Sequence, residues 1–149
     1  MTIYTTVVNM IKINPYLNFA GTTEEAFQFY KSVFGGEFSL LMRFKETPDG
    51  GKAPEADREK IMHVSLPVGN VVLMATDMLE SMGQKLVAGN NFSLMISTES
   101  EEEADQLFQK LSAGGTIGMP LEKTFWGAYF GTCTDKFGMQ WMVSYEYKK

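Results

Sequence analysis

Hydrophobic and polar positions along this chain run through the same order twice. Ile13–Phe19 is a short apolar run, followed by a stretch of helical spacing from Thr22, then Gly35-Gly36, then further apolar runs. Phe92–Ser97, a second helical stretch from Ser100, and Gly114-Gly115 repeat that order. Ala26 and Ala104 are 78 residues apart; Gly35 and Gly114 are 79 apart. In the first helical stretch Ala26, Tyr30 and Val33, with Phe27 and Phe34, make one apolar face. Thr22-x-x-Glu25 predicts a capping box at its start, and Gly35 a left-handed residue at its end. Ser100-x-x-Glu103 opens the second helix, Ala104, Leu107, Phe108 and Leu111 keep its spacing, and Gly114-Gly115 closes it.

Each Gly-Gly leads into strand-like runs. These are Glu37–Phe44, Lys60–Leu66 and Val71–Thr76 in the first half, and Thr116–Leu121, Ala128–Thr134 and Gln140–Tyr145 in the second. Lys45–Glu59, rich in Pro, Gly and charge, reads as a loop over a cleft. Pro67–Asn70 and Asp135–Gly138 read as matching tight turns. The expected fold is α+β: two tandem βαβββ modules, 13–77 and 91–147, joined by a linker over 78–90. Their curled mixed sheets surround a cleft, all within one domain of residues 1–149. Residues 1–12 lie outside the repeat, as an arm, an added edge strand or a loose tail.

Composition narrows the partners. A net charge of −5 with no basic run argues against a nucleic-acid backbone. No apolar run approaches the ~20 residues of a membrane span, and the first dozen residues lack the pattern of a signal peptide. The single cysteine, Cys133, excludes an intrachain disulfide and fits a reducing compartment, so a cytoplasmic location is expected. Eleven methionines and eleven phenylalanines fill a core or line an adaptable apolar pocket.

The wording of several stretches is similar to one protein family. Pro15–Phe19, Glu25–Gly36, Ile61-Met-His63, Leu73–Asp77, Thr124-Phe-Trp126 and Thr134–Gly138 with Trp141 resemble the PhnB-like branch of the vicinal oxygen chelate superfamily. Glyoxalase I, bleomycin-resistance proteins and extradiol dioxygenases belong to that superfamily. The resemblance covers nearly the whole chain. It implies half-barrel sheets around a cleft, of the glyoxalase/bleomycin-resistance kind, and a homodimer. PhnB-like proteins often carry a ubiquinone-methyltransferase label, but no glycine-rich cofactor loop follows a strand here, so a SAM methyltransferase is not expected.

The superfamily's usual metal is held by one His or Glu on the first and last strands of each module, where it acts as a Lewis acid. Aligned on the helices and turns, those positions fall at Pro15, Met74, Ser93 and Met142, none a usual ligand. No cofactor is therefore expected. The alternative is a divalent metal at a displaced site that includes the only histidine, His63, with Asp77 and Glu122 as the nearest carboxylates in strand-end positions.

His63 shares a strand face with Ser65, opposite Met62, Val64 and Leu66. Asp77 reads either as a ligand-facing group or as a solvated turn carboxylate. Phe125 and Trp126, beside Gly127, read as a wall for a flat ligand or as core aromatics. Trp141 and Met142 alternate, one toward the cleft and one toward the core. Cys133 reads as a buried small hydrophobe rather than a nucleophile. The expected function is binding of a small molecule in an apolar and aromatic cleft, with His63, Ser65, Met74, Asp77, Phe125, Trp126 and Trp141 as ligand-binding residues. The alternative is a metal-dependent lyase, isomerase or dioxygenase built around His63.

Overall fold

The computed structural model describes residues 11–48 and 52–147. The expected arm at 1–12 falls almost wholly outside those residues. Two four-stranded sheets and two helices account for the fold. The first module comprises β1 (Tyr16–Phe19), α1 (Thr23–Phe34), β2 (Leu40–Arg43), β3 (Ile61–Val68) and β4 (Val71–Asp77). The second comprises β5 (Leu94–Ser97), α2 (Glu101–Ser112), β6 (Thr116–Lys123), β7 (Ala128–Thr134) and β8 (Gln140–Glu146). Strand order is β1-β4-β3-β2 in one sheet and β5-β8-β7-β6 in the other. In each the first strand runs parallel to the last, and the remaining pairs are antiparallel. The expected repeat of βαβββ modules is thus the observed topology, and neither sheet closes into a barrel.

One face of each sheet is buried against helix. Leu17, Phe19, Leu73 and Ala75 meet Ala26, Phe27, Tyr30 and Val33, and Trp141 and Val143 meet Ala104, Phe108 and Leu111. A single hydrophobic cluster contains all of these, so the modules share one core. Tyr30 packs edge-on to Trp141, with ring centroids 5.5 Å apart, and Phe34 also touches Trp141. A polar contact crosses the same seam. The Asp135 carboxylate, in the β7–β8 turn, accepts from the Tyr30 hydroxyl at 2.7 Å and from Trp141 Nε1 at 2.8 Å. It also accepts from the Phe137 and Met139 amides, which confirms the turn role read from Asp135–Gly138.

Several expectations shift. The capping box at Thr22 does not form, because Asp77 is carried by β4 to the same helix end. Its carboxylate satisfies donors there and a negative charge suits a helix N-terminus. Ser100 does cap α2, accepting from the Glu103 amide. Gly35 ends α1 at φ 80° and ψ −167°, a positive-φ extended conformation rather than the left-handed helical one. β2 is shorter than Glu37–Phe44, because its ladder shifts between Met42 and Arg43 and the chain turns at Phe44–Glu46. The described parts of the 45–59 loop are tied down: Arg43 grips Glu24 of α1 at 2.9 and 2.7 Å, and Lys45 pairs with Glu59 at 2.6 Å. Arg43 in turn holds the Glu24 carboxyl below its usual range.

Candidate functional site

Strand alternation leaves each sheet with a second face that, among the described residues, no helix covers. Residues paired across neighbouring strands share a face, so the register names the side chains that stand there. On the first sheet Tyr16, Met74, Ser65 and Leu40 form one transverse row. His63 and Met42 are paired two residues along. On the second sheet the equivalent row is Met95, Met142, Thr132 and Met119. Ser97, Ser144, Phe130 and Glu122 make the next. These faces are open: Tyr16 is 47% exposed and Met95 61%.

His63 is the centre of a hydrogen-bonded chain on the first open face. Its Nδ1 lies 3.1 Å from the Tyr16 hydroxyl and its Nε2 lies 2.7 Å from Ser65 Oγ. In a neutral imidazole one ring nitrogen donates and the other accepts, which gives the chain two arrangements. Either Tyr16 donates to Nδ1 and Nε2–H donates to Ser65, or Ser65 donates to Nε2 and Nδ1–H donates to Tyr16. Ser65 is buried, leaving Tyr16 as the outward end. Partial burial raises the Tyr16 pKa, so this phenol stays protonated at neutral pH.

Five of the seven expected ligand-binding positions lie on the first open face or in the β6–β7 loop. His63, Ser65 and Met74 lie together on the first open face. Phe125 and Trp126 lie in the β6–β7 loop, Phe125 98% exposed, with ring centroids 5.0 Å apart. Trp126 also packs against Phe130 at 5.8 Å, which ties the loop to the second open face. The other two belong to the interior. Asp77 is 2% exposed and accepts from the Gly21, Thr23 and Ile61 amides and from the Thr23 hydroxyl at 2.7 Å. It is a helix cap on the buried face, neither ligand-facing nor solvated. Trp141 is 3% exposed and its indole N–H is held by Asp135; Met142 is the neighbour that faces outward. Tyr16 was not among the expected residues. Alternation from Leu17, which the core claims, was the signal that would have placed it outward.

Cys133 is buried, and burial, then the Asp135 charge, pushes its pKa up to about 11. The thiol is therefore protonated and unreactive at neutral pH. Of the four superfamily metal positions, Met74 and Met142 project from the open faces, and Pro15 lends only its carbonyl, to the Met74 amide. Among the described residues no three His, Cys, Asp or Glu side chains form a group that could hold a metal. Both nitrogens of His63 are engaged, and Asp77 lies on the opposite face with its own donors. Among the described residues, His63 and Asp77 thus share no ligand set for a divalent cation.

Grooves run between the modules, among them one of about 500 Å³ lined by Phe34, Gly36, Pro67, Glu103 and Lys110 among others. Another, of about 400 Å³, is lined by Pro15, Phe34, Leu73, Met95, Ile96 and Trp141 among others. A third, of about 270 Å³, includes Tyr16, Asn18, Phe92, Phe137 and Gln140.

A family model described as 3-demethylubiquinone-9 3-methyltransferase matches residues 11–144. Protein YjdN of Escherichia coli (strain K12) is 31% identical over 143 residues, covering 89% of this chain and 93% of that protein. The crystal structure of PA1353 from Pseudomonas aeruginosa superposes with a TM-score of 0.81 at 38% identity, covering 91% of this chain and 98% of that one. A PhnB protein from Bacillus cereus follows at 0.74 and 29%, covering 91% and 99%. A glyoxalase/bleomycin resistance protein/dioxygenase family enzyme from Burkholderia phytofirmans shares the fold at 0.58 and 17% identity, covering 89% and 97%. The chain thus belongs to the family described as 3-demethylubiquinone-9 3-methyltransferase, which its likeness to the PhnB protein fits.

Proposed function

We propose that the protein binds a small molecule over the open, methionine-rich faces of its two sheets. The observation that carries this reading is the Tyr16–His63–Ser65 chain. It places the only histidine, with two hydroxyls, on an uncovered sheet face among Met42, Met74 and Leu40. A few convergent polar groups in an apolar setting are the usual anatomy of a ligand site. Phe125 and Trp126 supply aromatic walls. The protein works as a cytoplasmic homodimer in this proposal; the exposed Met95, Met119, Phe125 and Trp126 are the kind of surface a second subunit covers.

His63→Ala is the test, read by native mass spectrometry and thermal melting of untagged protein. The expected result is that any co-purifying small-molecule adduct is lost or weakened while the melting temperature changes little. Collapse of the fold would assign His63 a structural role instead. A divalent metal surviving desalting in wild type and lost in His63→Ala would restore the metal-dependent lyase, isomerase or dioxygenase reading. Methyl transfer is not part of the proposal, since β1 enters α1 through Ala20-Gly21-Thr22 and the sequence carries no G-x-G-x-x-G cofactor loop.

A further inference from the structure

From the charge pattern of the open faces we infer the ligand class: an uncharged ring compound carrying a hydroxyl or carbonyl oxygen that hydrogen-bonds to Tyr16. This rests on the small-molecule reading and sharpens it. Paired positions on the open faces include no lysine or arginine. Arg43, the one arginine on a strand, points to the helix side and is committed to Glu24. Glu122 and Glu146 are the carboxylates on the open side, in rows beyond the methionines. Among these paired positions a phosphate, sulfate or carboxylate would thus meet thioethers and, beyond them, acids, but no cation, while losing its hydration. An organic cation would find no carboxylate in the row of Tyr16 or in that of Met95.

Each central row reaches a groove between the modules, at Tyr16 in one and at Met95 in another. Pro15, beside Tyr16, lines the same groove as Met95, and Tyr16 itself lines the other with Phe92. A flat ligand laid on the first open face would touch Tyr16, Met74 and Met42 beside the His63–Ser65 pair. Thioethers adapt to ring edges and faces, and the half-exposed Trp126 adds a stacking surface. One directed polar contact is available, the outward phenol of Tyr16. His63 and Ser65 bind each other behind it and fix its orientation.

Calorimetric titration at pH 7 with 2-naphthol, 2-naphthyl phosphate and 2-naphthylmethylamine separates these cases, since the three share a ring and differ in charge. The expected result is binding of 2-naphthol, with the phosphate ester roughly tenfold weaker or worse and the ammonium no tighter. Tyr16→Phe should weaken 2-naphthol about three- to tenfold, the worth of one hydrogen bond, with an unchanged melting temperature. A tighter phosphate ester or ammonium, no binding of 2-naphthol, or indifference to Tyr16→Phe would overturn the class. If a charged compound binds best yet is weakened by His63→Ala, the class falls and the site stands. If binding ignores both His63→Ala and Trp126→Ala, the site itself falls.

Discussion

Tyr30→Phe removes one oxygen from the seam between the modules and nothing else. The ring keeps its edge-on contacts with Phe27 at 5.4 Å and Trp141 at 5.5 Å. What is lost is a 2.7 Å hydrogen bond to the Asp135 carboxylate, with both residues buried. A hydrogen bond to a charged group contributes about 1.5–3 kcal/mol, because the charge left behind is buried with one donor fewer. For a chain of this size each kcal/mol moves the melting temperature by about 2–4 °C, so a fall of about 3–12 °C is expected. Urea denaturation should show a lower midpoint with an unchanged slope. The alkaline limb supplies a second readout. Burial first, then Asp135, pushes the Tyr30 pKa far above its ordinary value. The fold thus favours the protonated phenol. Its contribution is whole below the unfolded pKa near 10 and is lost as pH rises beyond it, at up to about 1.4 kcal/mol per pH unit. Cys133, raised to about 11, and Tyr129 and Tyr147, each raised to about 12, add alkaline slopes that both proteins share. Tyr30→Phe should therefore be less stable at pH 8 yet lose less stability above pH ~10. A midpoint within about 0.5 kcal/mol of wild type, or an identical alkaline slope, would refute the bond.

Asp77→Ala should cost about 3 kcal/mol or more by leaving four donors unpaired, whereas Thr22→Ala should stay within ~0.5 kcal/mol; chemical denaturation compares them directly. Ser100→Ala should cost about 1 kcal/mol, as loss of a true N-cap does. Gly115→Ala would place a Cβ 2.1 Å from the Thr134 carbonyl oxygen, so a loss of at least ~2 kcal/mol or insoluble protein is expected; a melt at wild-type temperature would contradict that approach. Gel filtration at micromolar concentration should give a dimer, and a monomer peak alone would remove the homodimer from the proposal.

Local grammar was readable wherever one stretch of chain decides it. Helices α1 and α2, the β7–β8 turn and the repeat all follow from spacing, caps and Gly-Gly pairs. What spacing does not encode is which distant group arrives at a helix end. Thr22 and Ser100 look alike in sequence, yet Asp77 reaches only α1, so the Ser100 side chain caps its helix and the Thr22 side chain does not. The same limit applied to the candidate site. Trp141 and Met142 alternate, and only the packing of Tyr30 and Phe34 from the other module sends the indole inward. His63 and Ser65 were paired correctly by alternation alone. Tyr16, a partner 47 residues away, needed the register of β1 on β4 and β3 on β4.

The bridge from Asp135 to Tyr30 also makes the repeat directional. By the 78-residue offset Tyr30 corresponds to Phe108, which has no hydroxyl, and the β3–β4 turn at Val68-Gly69-Asn70 has no acid. Two second modules set against each other would bury Asp135 facing a phenyl ring. Two first modules would leave the Tyr30 hydroxyl without its acceptor. Each wrong pairing strands a polar group, so the seam selects first-with-second and rejects like-with-like. Halves split at the linker and mixed in solution would accordingly sort into unlike pairs.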